Sequence, residues 1–403
     1  MKRAPSKGIS RSAGQDSRRS HFKACSPFSE NRSTNINGLD FSKLDRSSFL
    51  AGVVAASLTL GTRHSAAIAG SSSPAAELPW LTLEHGTNDI VSTWGVAEAI
   101  ICLAEGADLD LRKRLLASIS VLASDYPTAS WRPANPESST ASVLYAPNLL
   151  VTPEQVAALD HLRCRVVNSR DASAAIQAVG KHVELRVTGN RIARSLGAEL
   201  GIFNASRFTR SWQQPFDVRA TAPMQFQTLR GSVWVPFLRR IGEFMHHALD
   251  DAQVVRIPFR GGGVMAVYIP NVVGQLSETW ERQTLLALNE MSTNSELVFF
   301  GMPKFSFSKV RQFGTVLSTA IPLTDSDRLF RWPARPLSAT QVAEIVVDES
   351  GATVVAETAI KTTKRKRSYR RIFADRPFGF LLTGTEAGRV VAKGCLFDPR
   401  ALG

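Results

Sequence analysis

The feature that most constrains the fold is a change in sequence texture near residue 201. Before it, apolar residues recur at helical spacing, and Pro and Gly punctuate the segments. This pattern predicts helices over 91–104, 115–122, 153–162 and 172–187. The first half of the chain is therefore predicted to be rich in helix.

After that point the chain consists of short β-branched and aromatic runs separated by Gly and Pro. These runs predict strands at 233–238, 254–258, 264–269 and 296–300, with one further helix at 278–291. Helices followed by strands are typical of an α+β fold. With 44% hydrophobic and 21% charged residues, the composition is that of a globular protein.

The net charge of +13 is concentrated in two segments, so it does not describe the whole folded surface. Residues 1–69 hold 11 Lys and Arg and four acids, a net charge of +7. A basic segment at 361–371 holds seven Lys and Arg and no acid, which leaves the rest of the chain near −1. This distribution excludes a general nucleic-acid-binding surface and makes the basic segment the feature to explain.

The first part of the chain has the features of a leader. Residues 1–46 are polar and lack the spaced apolar residues of a core-facing element. An apolar run at 49–60 precedes Ala67-Ile68-Ala69, a small-x-small pattern that signal peptidase reads. We predict a disordered leader and export signal at 1–69, a single domain at 70–403, and a periplasmic or extracellular mature protein without membrane integration. The alternative for the apolar run is a buried helix.

Motifs for catalysis and metal binding are absent from the sequence. It contains no GxSxG elbow, no HExxH pair and no phosphate loop. Four Cys residues, at 25, 102, 164 and 395, form no CxxC pair, and three remain without the leader. Their number and spacing predict neither a disulfide framework nor a zinc site, and Cys102 is expected to pack in the core. We predict a non-enzyme with no metal or cofactor, with an unrecognised hydrolase as an alternative.

A series of aromatic and proline blocks runs through the strand-rich half. Phe203-Asn204-Ala205 with Phe208, Trp212 and Pro215-Phe216-Asp217 fits the pattern N-A-x-x-F-x-x-x-W-x-x-P-F. Further blocks follow at 221–226, 235–238, 257–261, 302–305, 374–378 and 394–399. Any one block could occur by chance, because aromatic residues that pack and prolines that form turns are common at strand ends. Their joint order resembles the serpin family, whose members are serine-protease inhibitors.

This resemblance implies a particular architecture. It implies a mixed α+β fold with a large central β-sheet, additional sheets, a helix-rich amino-terminal half and an exposed reactive loop at about 349–372. It places a sheet-opening region at Ser92, Asn204, Trp212 and Gln341. Gln341 stands where family members have a histidine facing the asparagine, and Gln can also donate and accept hydrogen bonds.

In this family a target protease cuts the reactive loop, which then inserts into the central sheet while the acyl-enzyme still holds. The resemblance places the hinge of this insertion at Glu349, Gly351, Ala352, Val354 and Ala356. Small residues are usual there, so the Val and Glu residues in this stretch are expected to slow the hinge. A slow hinge would release the protein as a cleaved substrate.

The position of the reactive bond follows from a count along the loop. Counting from Glu349 places it between Arg365 and Lys366, and the runner-up is the bond between Arg367 and Ser368. A cation at this position suits a protease whose specificity pocket ends in a carboxylate. The predicted partner is a trypsin-like or dibasic-specific serine protease.

A strand sends alternate side chains to opposite faces. Insertion therefore requires that the loop positions on the face that becomes buried carry no charge. The even positions from 352 to 362 carry no charge, whereas Glu357 and Lys361 fall on the other face. An unpaired buried carboxylate costs several kcal/mol, more than the ~1.5–3 kcal/mol that burying one Val returns. This parity predicts that both charges stay in solvent when the loop inserts.

The sequence therefore predicts a monomeric suicide-substrate inhibitor of a serine protease. Three alternatives stay open for the basic segment and the loop. In the first, the protein is a non-inhibitory serpin-like binding protein. In the second, it docks a polyanion through the clustered cations, and in the third its basic loop is only solvated.

Overall fold

The computed structural model describes most of the chain after residue 81. The described residues are 82–124, 138–146, 148–169, 172–185, 200–291, 295–314, 317, 330, 338–352, 369–384 and 390–400. The predicted leader at 1–69 lies outside them.

Five α-helices lie among the described residues, and each overlaps a predicted helical segment. They are α1 (Thr93–Glu105), α2 (Leu109–Ser124), α3 (Pro153–His161), α4 (Ser173–His182) and α5 (Trp280–Glu290). Helix α2 begins earlier than predicted because the Asp108 carboxylate accepts hydrogen bonds from the backbone N–H groups of Asp110 and Leu111. A capping box between Thr152 and Gln155 starts α3.

The larger sheet has nine strands, in the order β1-β16-β15-β9-β8-β7-β10-β14, with β6 paired to β7. Its strands are β1 (Asp89–Val91), β6 (Ala222–Thr228), β7 (Gly231–Ala248), β8 (Ala252–Pro258), β9 (Val264–Pro270), β10 (Glu296–Pro303), β14 (Arg370–Phe373), β15 (Phe378–Thr383) and β16 (Val390–Leu396). All four predicted strands lie within this sheet and are confirmed.

A second sheet has five strands in the order β11-β12-β4-β2-β3, and a two-stranded ladder, β13-β5, adjoins it. Its strands are β2 (Ser138–Tyr145), β3 (Cys164–Val167), β4 (Gly201–Phe208), β11 (Phe305–Gln312) and β12 (Ser338–Val347). The short ladder joins β5 (Arg210–Ser211) to β13 (Gly351–Ala352). Strands β2 and β3 come from the half predicted as helix-rich, so that prediction missed part of the sheet.

The core continues across both faces of the five-stranded sheet. On one face, Phe203, Ala205 and Val342 pack with Ile176 and Val179 of α4. On the other face, the ends of β4 and β12 join a large aromatic cluster shared with the nine-stranded sheet. The α+β architecture with a central sheet and additional sheets is confirmed.

Candidate functional site

The junction between β12 and β4 is the part of the five-stranded sheet where the predicted sheet-opening residues Asn204 and Gln341 lie. The two strands pair directly in parallel, from Ser338 opposite Gly201 to Glu344 opposite Arg207. Both strands are almost entirely buried. The sheet is therefore closed along this junction, which we call the seam.

A buried polar network lies beneath the seam and joins α1 to both strands. The Ser92 N–H donates to Gln341 Oε1 at 3.0 Å, and Gln341 Nε2 donates back to the Ser92 carbonyl at 2.9 Å. Gln341 Nε2 also donates to Asn204 Oδ1 at 3.3 Å. Asn204 Nδ2 donates to Ser142 Oγ at 3.0 Å, and Ser206 Oγ donates to Asn204 Oδ1 at 2.8 Å. The amide of Gln341 thus joins β12 to β4 and to the N-cap of α1.

The first turn of α1 approaches this network closely. A side chain at Gly95 would overlap Ser206 Oγ and Asn204 Oδ1, so this position requires glycine. One turn further on, the buried Glu98 carboxylate accepts a hydrogen bond from the Thr140 hydroxyl. Burial raises the pKa of Glu98 to about 7, although Thr140 and the charge of Arg163 oppose the change. Glu98 is thus a titratable group under a closed sheet.

We expect Glu98→Gln to stabilise the protein at about pH 8 by about 2–3 kcal/mol and to change little near pH 4. The folded pKa of about 7 lies above the unfolded value, so the folded state holds a proton that the unfolded state loses. Stability therefore falls as pH rises from about 4 to 7, and the neutral amide removes this loss. Denaturant unfolding at both pH values measures it, and an equal effect at both would contradict it.

The predicted hinge begins at one end of the seam, in the turn that follows β12. The Asp348 carboxylate accepts hydrogen bonds from the N–H groups of Ser350 and Gly351, and the Asp348 N–H donates to the Gly351 carbonyl at 2.9 Å. The indole N–H of Trp212 donates to the Asp348 carbonyl at 2.9 Å, and the Trp212 backbone N–H donates to Ser350. The turn is therefore held by hydrogen bonds within it and by hydrogen bonds from Trp212.

An ion pair fixes the next residue of the turn. Lys304 Nζ lies 2.8 Å from one Glu349 carboxylate oxygen, and the Thr221 hydroxyl donates to the other at 2.9 Å. Burial raises the pKa of Glu349, but the bonds from Lys304 and Thr221 outweigh it and hold the pKa below its usual range. The Glu349 side chain is therefore ionised and paired with Lys304 in the folded protein at neutral pH.

Beyond the turn, the chain forms the short strand β13. Gly351 lies opposite Ser211 and Ala352 opposite Arg210, in an antiparallel ladder with β5. A side chain at Gly351 would overlap the Arg210 carbonyl, so glycine is required for this close approach. The Ala352 side chain is fully buried in the aromatic cluster.

The structure divides the predicted sheet-opening residues between two places. Ser92, Asn204 and Gln341 meet in the network under the seam, whereas Trp212 lies at the hinge. The hinge residues Glu349, Gly351 and Ala352 lie in and directly after the turn. The predicted hinge residues Val354 and Ala356, and the candidate bonds Arg365–Lys366 and Arg367–Ser368, lie outside the described residues.

Three residues of this region were not predicted. Lys304 and Thr221 lie within the quoted aromatic blocks, but nothing in the sequence pairs them with Glu349. Glu98 lies within a predicted helix, and only its place on the apolar face of α1 indicates burial. Among the described residues, no group of His, Cys, Asp and Glu could hold a metal ion. In the same part of the chain, no helix has the length and apolar character to span a membrane.

Comparison with known proteins identifies the family. A family model described as serpin, serine protease inhibitor, matches residues 81–399. This match covers most of the chain, so the chain belongs to the serpin family. Serpins are generally inhibitors of serine proteases rather than catalysts.

Relatives of known sequence match part of the chain. Serpin-Z2 of Arabidopsis thaliana is 29% identical over 49% of this chain and 50% of its own length. The probable non-inhibitory serpin-Z5 of the same plant is 28% identical over 49% of this chain and 46% of its own length. The chain spans about half the length of the curated relatives it matches.

Solved structures support the same fold. Serpin48 of the insect Tenebrio molitor has a TM-score of 0.62 at 20% identity, covering 77% of this chain and 92% of that protein. Arabidopsis AtSerpin1, in its native stressed conformation, has a TM-score of 0.63 at 19% identity, covering 81% of this chain and 95% of that protein. At these identities the similarity shows the fold alone.

Proposed function

We propose that the protein inhibits a trypsin-like or dibasic-specific serine protease as a suicide substrate, through cleavage and insertion of the loop at 349–372. The observation that carries this proposal is strand β13. Gly351 and Ala352 already pair as the first two residues of an antiparallel strand at the end of the closed seam. Lengthening this strand would place the loop between β12 and β4.

The registers on the two sides of the seam agree on where the loop would lie. If β13 lengthened in its register with β5, Thr358 would lie opposite Asn204. If the hairpin closed by the bond between Asp348 and Gly351 were extended in the same way, Thr358 would lie opposite Gln341 of β12. Asn204 and Gln341 are themselves register partners, so the two extrapolations meet at one residue.

The same register supports the predicted parity of the loop. Asn204 and Ser206 of β4 point towards α1, so loop residues opposite them would enter the interior. Along the length of β4, down to Gly201, the loop would place only uncharged side chains on that face. The residues that would face the interior are Val354, Ala356, Thr358 and Ile360.

For Glu357, which we predicted to stay in solvent, the same extension gives a different expectation. Its partner on β4 would be Ala205, which is buried against α4. Glu357 would instead lie diagonally next to Arg207, whose guanidinium already donates to Glu184 of the loop after α4 at 2.7 Å. A nearby cation would offset part of the cost of burying this carboxylate.

The chemistry requires no catalytic residue from this chain. The protease serine attacks the Arg365 carbonyl carbon, and the bond to Lys366 breaks as the leaving amine takes a proton from the protease histidine. Arg365 remains as an ester on the serine, and insertion then competes with hydrolysis of this ester. We also propose that 1–69 are removed on export and that 70–403 act as a monomeric domain, periplasmic or extracellular.

Mixing the protein with trypsin tests this function. We expect a covalent complex that survives boiling in detergent, at roughly the summed mass. Arg365→Ala should slow its formation by about 100-fold or more, because an unpaired buried carboxylate in the protease pocket costs about 3–5 kcal/mol. The matched variant Arg367→Ala should matter less. Cleaved protein with fully active trypsin would contradict the proposal, and dependence on Arg367 would move the reactive bond to Arg367–Ser368.

A second candidate function is that of a non-inhibitory binding protein that docks a polyanion. Val354, Val355 and Glu357 are bulkier or more charged than a fast hinge requires, and one relative is described as probably non-inhibitory. Arg370 and Arg371, at the end of the basic segment, lie exposed on the edge strand β14. Binding to heparin that falls steeply with salt, without trapping of trypsin, would favour this candidate.

A further inference from the structure

An exposed apolar surface lies on the nine-stranded sheet where β10 pairs with β7 and with β14. In the register of these strands, Phe299 of β10 lies opposite Ile241 of β7 and opposite Arg371 of β14. Side chains alternate between the two faces of a strand. The neighbours on β10, Val298 and Phe300, are fully buried in the aromatic cluster. Phe299, Ile241 and Arg371 therefore form a row on the outer face of the sheet.

Aromatic rings form most of this surface. The Phe299 ring lies edge-on to Tyr369 and to Phe373, with ring centroids 5.9 and 5.1 Å apart. Gly301, which lies opposite Phe373, leaves room for that ring, because a side chain there would overlap it. Ile241 is 48% exposed and Tyr369 is 37% exposed. We call this surface the outer patch, and its members are Ile241, Phe299, Tyr369, Arg371 and Phe373.

Two arginines lie beside these rings at the edge of the sheet. Arg370 and Arg371 are exposed on the edge strand β14, and among the described residues neither of them forms an ion pair. Aromatic residues and arginines supply much of the binding energy at protein interfaces. Grouped, exposed apolar residues mark interaction sites on soluble proteins. The outer patch therefore fits a protein partner with an apolar surface and carboxylates beside it.

The distance of the patch from the proposed reactive bond identifies this partner. Tyr369 lies four residues after Arg365, so an extended chain separates them by at most about 14 Å. On the other side, Arg365 lies 13 residues beyond the buried Ala352. A folded protease domain of about 200 residues has a radius of gyration of about 16 Å. A protease that holds Arg365 is therefore within reach of the outer patch, whereas the hinge is much farther away along the chain.

We propose that the outer patch is a docking surface for the target protease, which it contacts beside the active-site cleft before the loop is cut. This inference rests on the proposed function, because it takes Arg365 as the residue that the protease binds. The loop then supplies a cation that any trypsin-like protease accepts. The patch adds contacts that depend on the surface of the protease, so it sets which trypsin-like protease the protein traps fastest.

Binding to an inactive trypsin, in which the catalytic serine is replaced by alanine, tests the surface without cleavage. We expect Ile241→Glu to weaken this binding by at least about 10-fold, because the variant puts a carboxylate into an apolar contact. Val310→Glu is the matched control, since Val310 is a 40% exposed aliphatic residue of the edge strand β11. It should change the binding by less than about 2-fold.

Each variant is first checked for a cooperative thermal transition with the midpoint of the parent protein. Equal binding by the parent and by Ile241→Glu would overturn the proposal. Equal losses in Ile241→Glu and Val310→Glu, or no binding by the parent, would also overturn it.

A further variant tests the charge of the surface. Arg371→Glu should weaken binding of the inactive trypsin by at least about 5-fold at low salt, and the loss should shrink as salt is added. The reason is that Arg371 is exposed and has no ion-pair partner among the described residues, so its charge is available to the protease. Unchanged binding at low salt would overturn the assignment of carboxylates to the partner.

Trapping of active trypsin separates the docking surface from the proposed function. We expect Ile241→Glu to slow trapping by the same factor by which it weakens binding, and to leave the ratio of trapped to cleaved protein unchanged, because the surface acts before the cut. A lower ratio with unchanged binding would overturn the docking surface. Failure of the parent protein to trap, with binding still weakened by Ile241→Glu, would instead overturn the inhibitor function, while the docking surface would stand.

Discussion

We expect the protein cut once within 364–367 to unfold at a thermal midpoint at least about 10 °C above that of the intact chain. In the proposed mechanism, the cut frees the loop to extend β13 along the whole seam. Burial of Val354 and Ile360 contributes about 1.5–3 kcal/mol each, and one strand ladder is replaced by two. The increase in thermal midpoint therefore measures how much more stable the protein becomes when a sixth strand joins the closed five-stranded sheet of the intact chain.

Limited trypsin digestion followed by calorimetry provides the measurement, with the cut site verified by mass spectrometry. The intact protein carried through the same steps without trypsin is the control. An unchanged or lower midpoint after a single verified cut would mean that the loop does not insert. The protein would then be a binding protein with the serpin fold.

The second large effect concerns one face of the loop. We expect Thr358→Glu to convert the proposed inhibitor into a substrate that trypsin cuts and releases, with no increase in thermal midpoint after the cut. In the inserted strand this carboxylate would lie between Asn204 and Gln341, which are 0% and 1% exposed. Burial of an unpaired charge there costs several kcal/mol, comparable to the gain from insertion.

Thr353→Glu is the matched control, because it makes the same chemical change on the opposite face. Its partner in the register would be Thr209, which is only half-buried. We expect this variant to trap trypsin as the parent protein does. The ratio of trapped to cleaved protein on a denaturing gel measures both variants. Loss of trapping in Thr353→Glu with retention in Thr358→Glu would show that the register is wrong by one residue.

Most of the helices and the strands of the second half could be predicted because each has a one-sided apolar pattern. Strand β2 was not predicted, because Thr140 and Ser142, which face the polar network, leave only a short alternation with Ala141 and Val143. These hydroxyls are compatible with a buried strand only because Asn204 and Glu98 satisfy them. Their partners come from distant parts of the chain, and local periodicity carries no information about them.

The candidate site was predicted unevenly for a similar reason. Ser92, Asn204 and Gln341 were selected together through a family resemblance and do meet. Trp212 was grouped with them, but it contacts Asp348 at the hinge. A resemblance identifies which residues matter, whereas the separation between them in space depends on how far β4 and β5 extend before the turn.

The sequence by itself determined the properties that depend on alternation and composition along one segment. These are the uncharged face of the loop from 352 to 362 and the cluster of cations that follows it. Only the tertiary structure decided the register of the seam, the burial of Glu98, and the ion pair between Lys304 and Glu349. Each of these joins residues that are distant in the chain, and such contacts form only when the whole core packs.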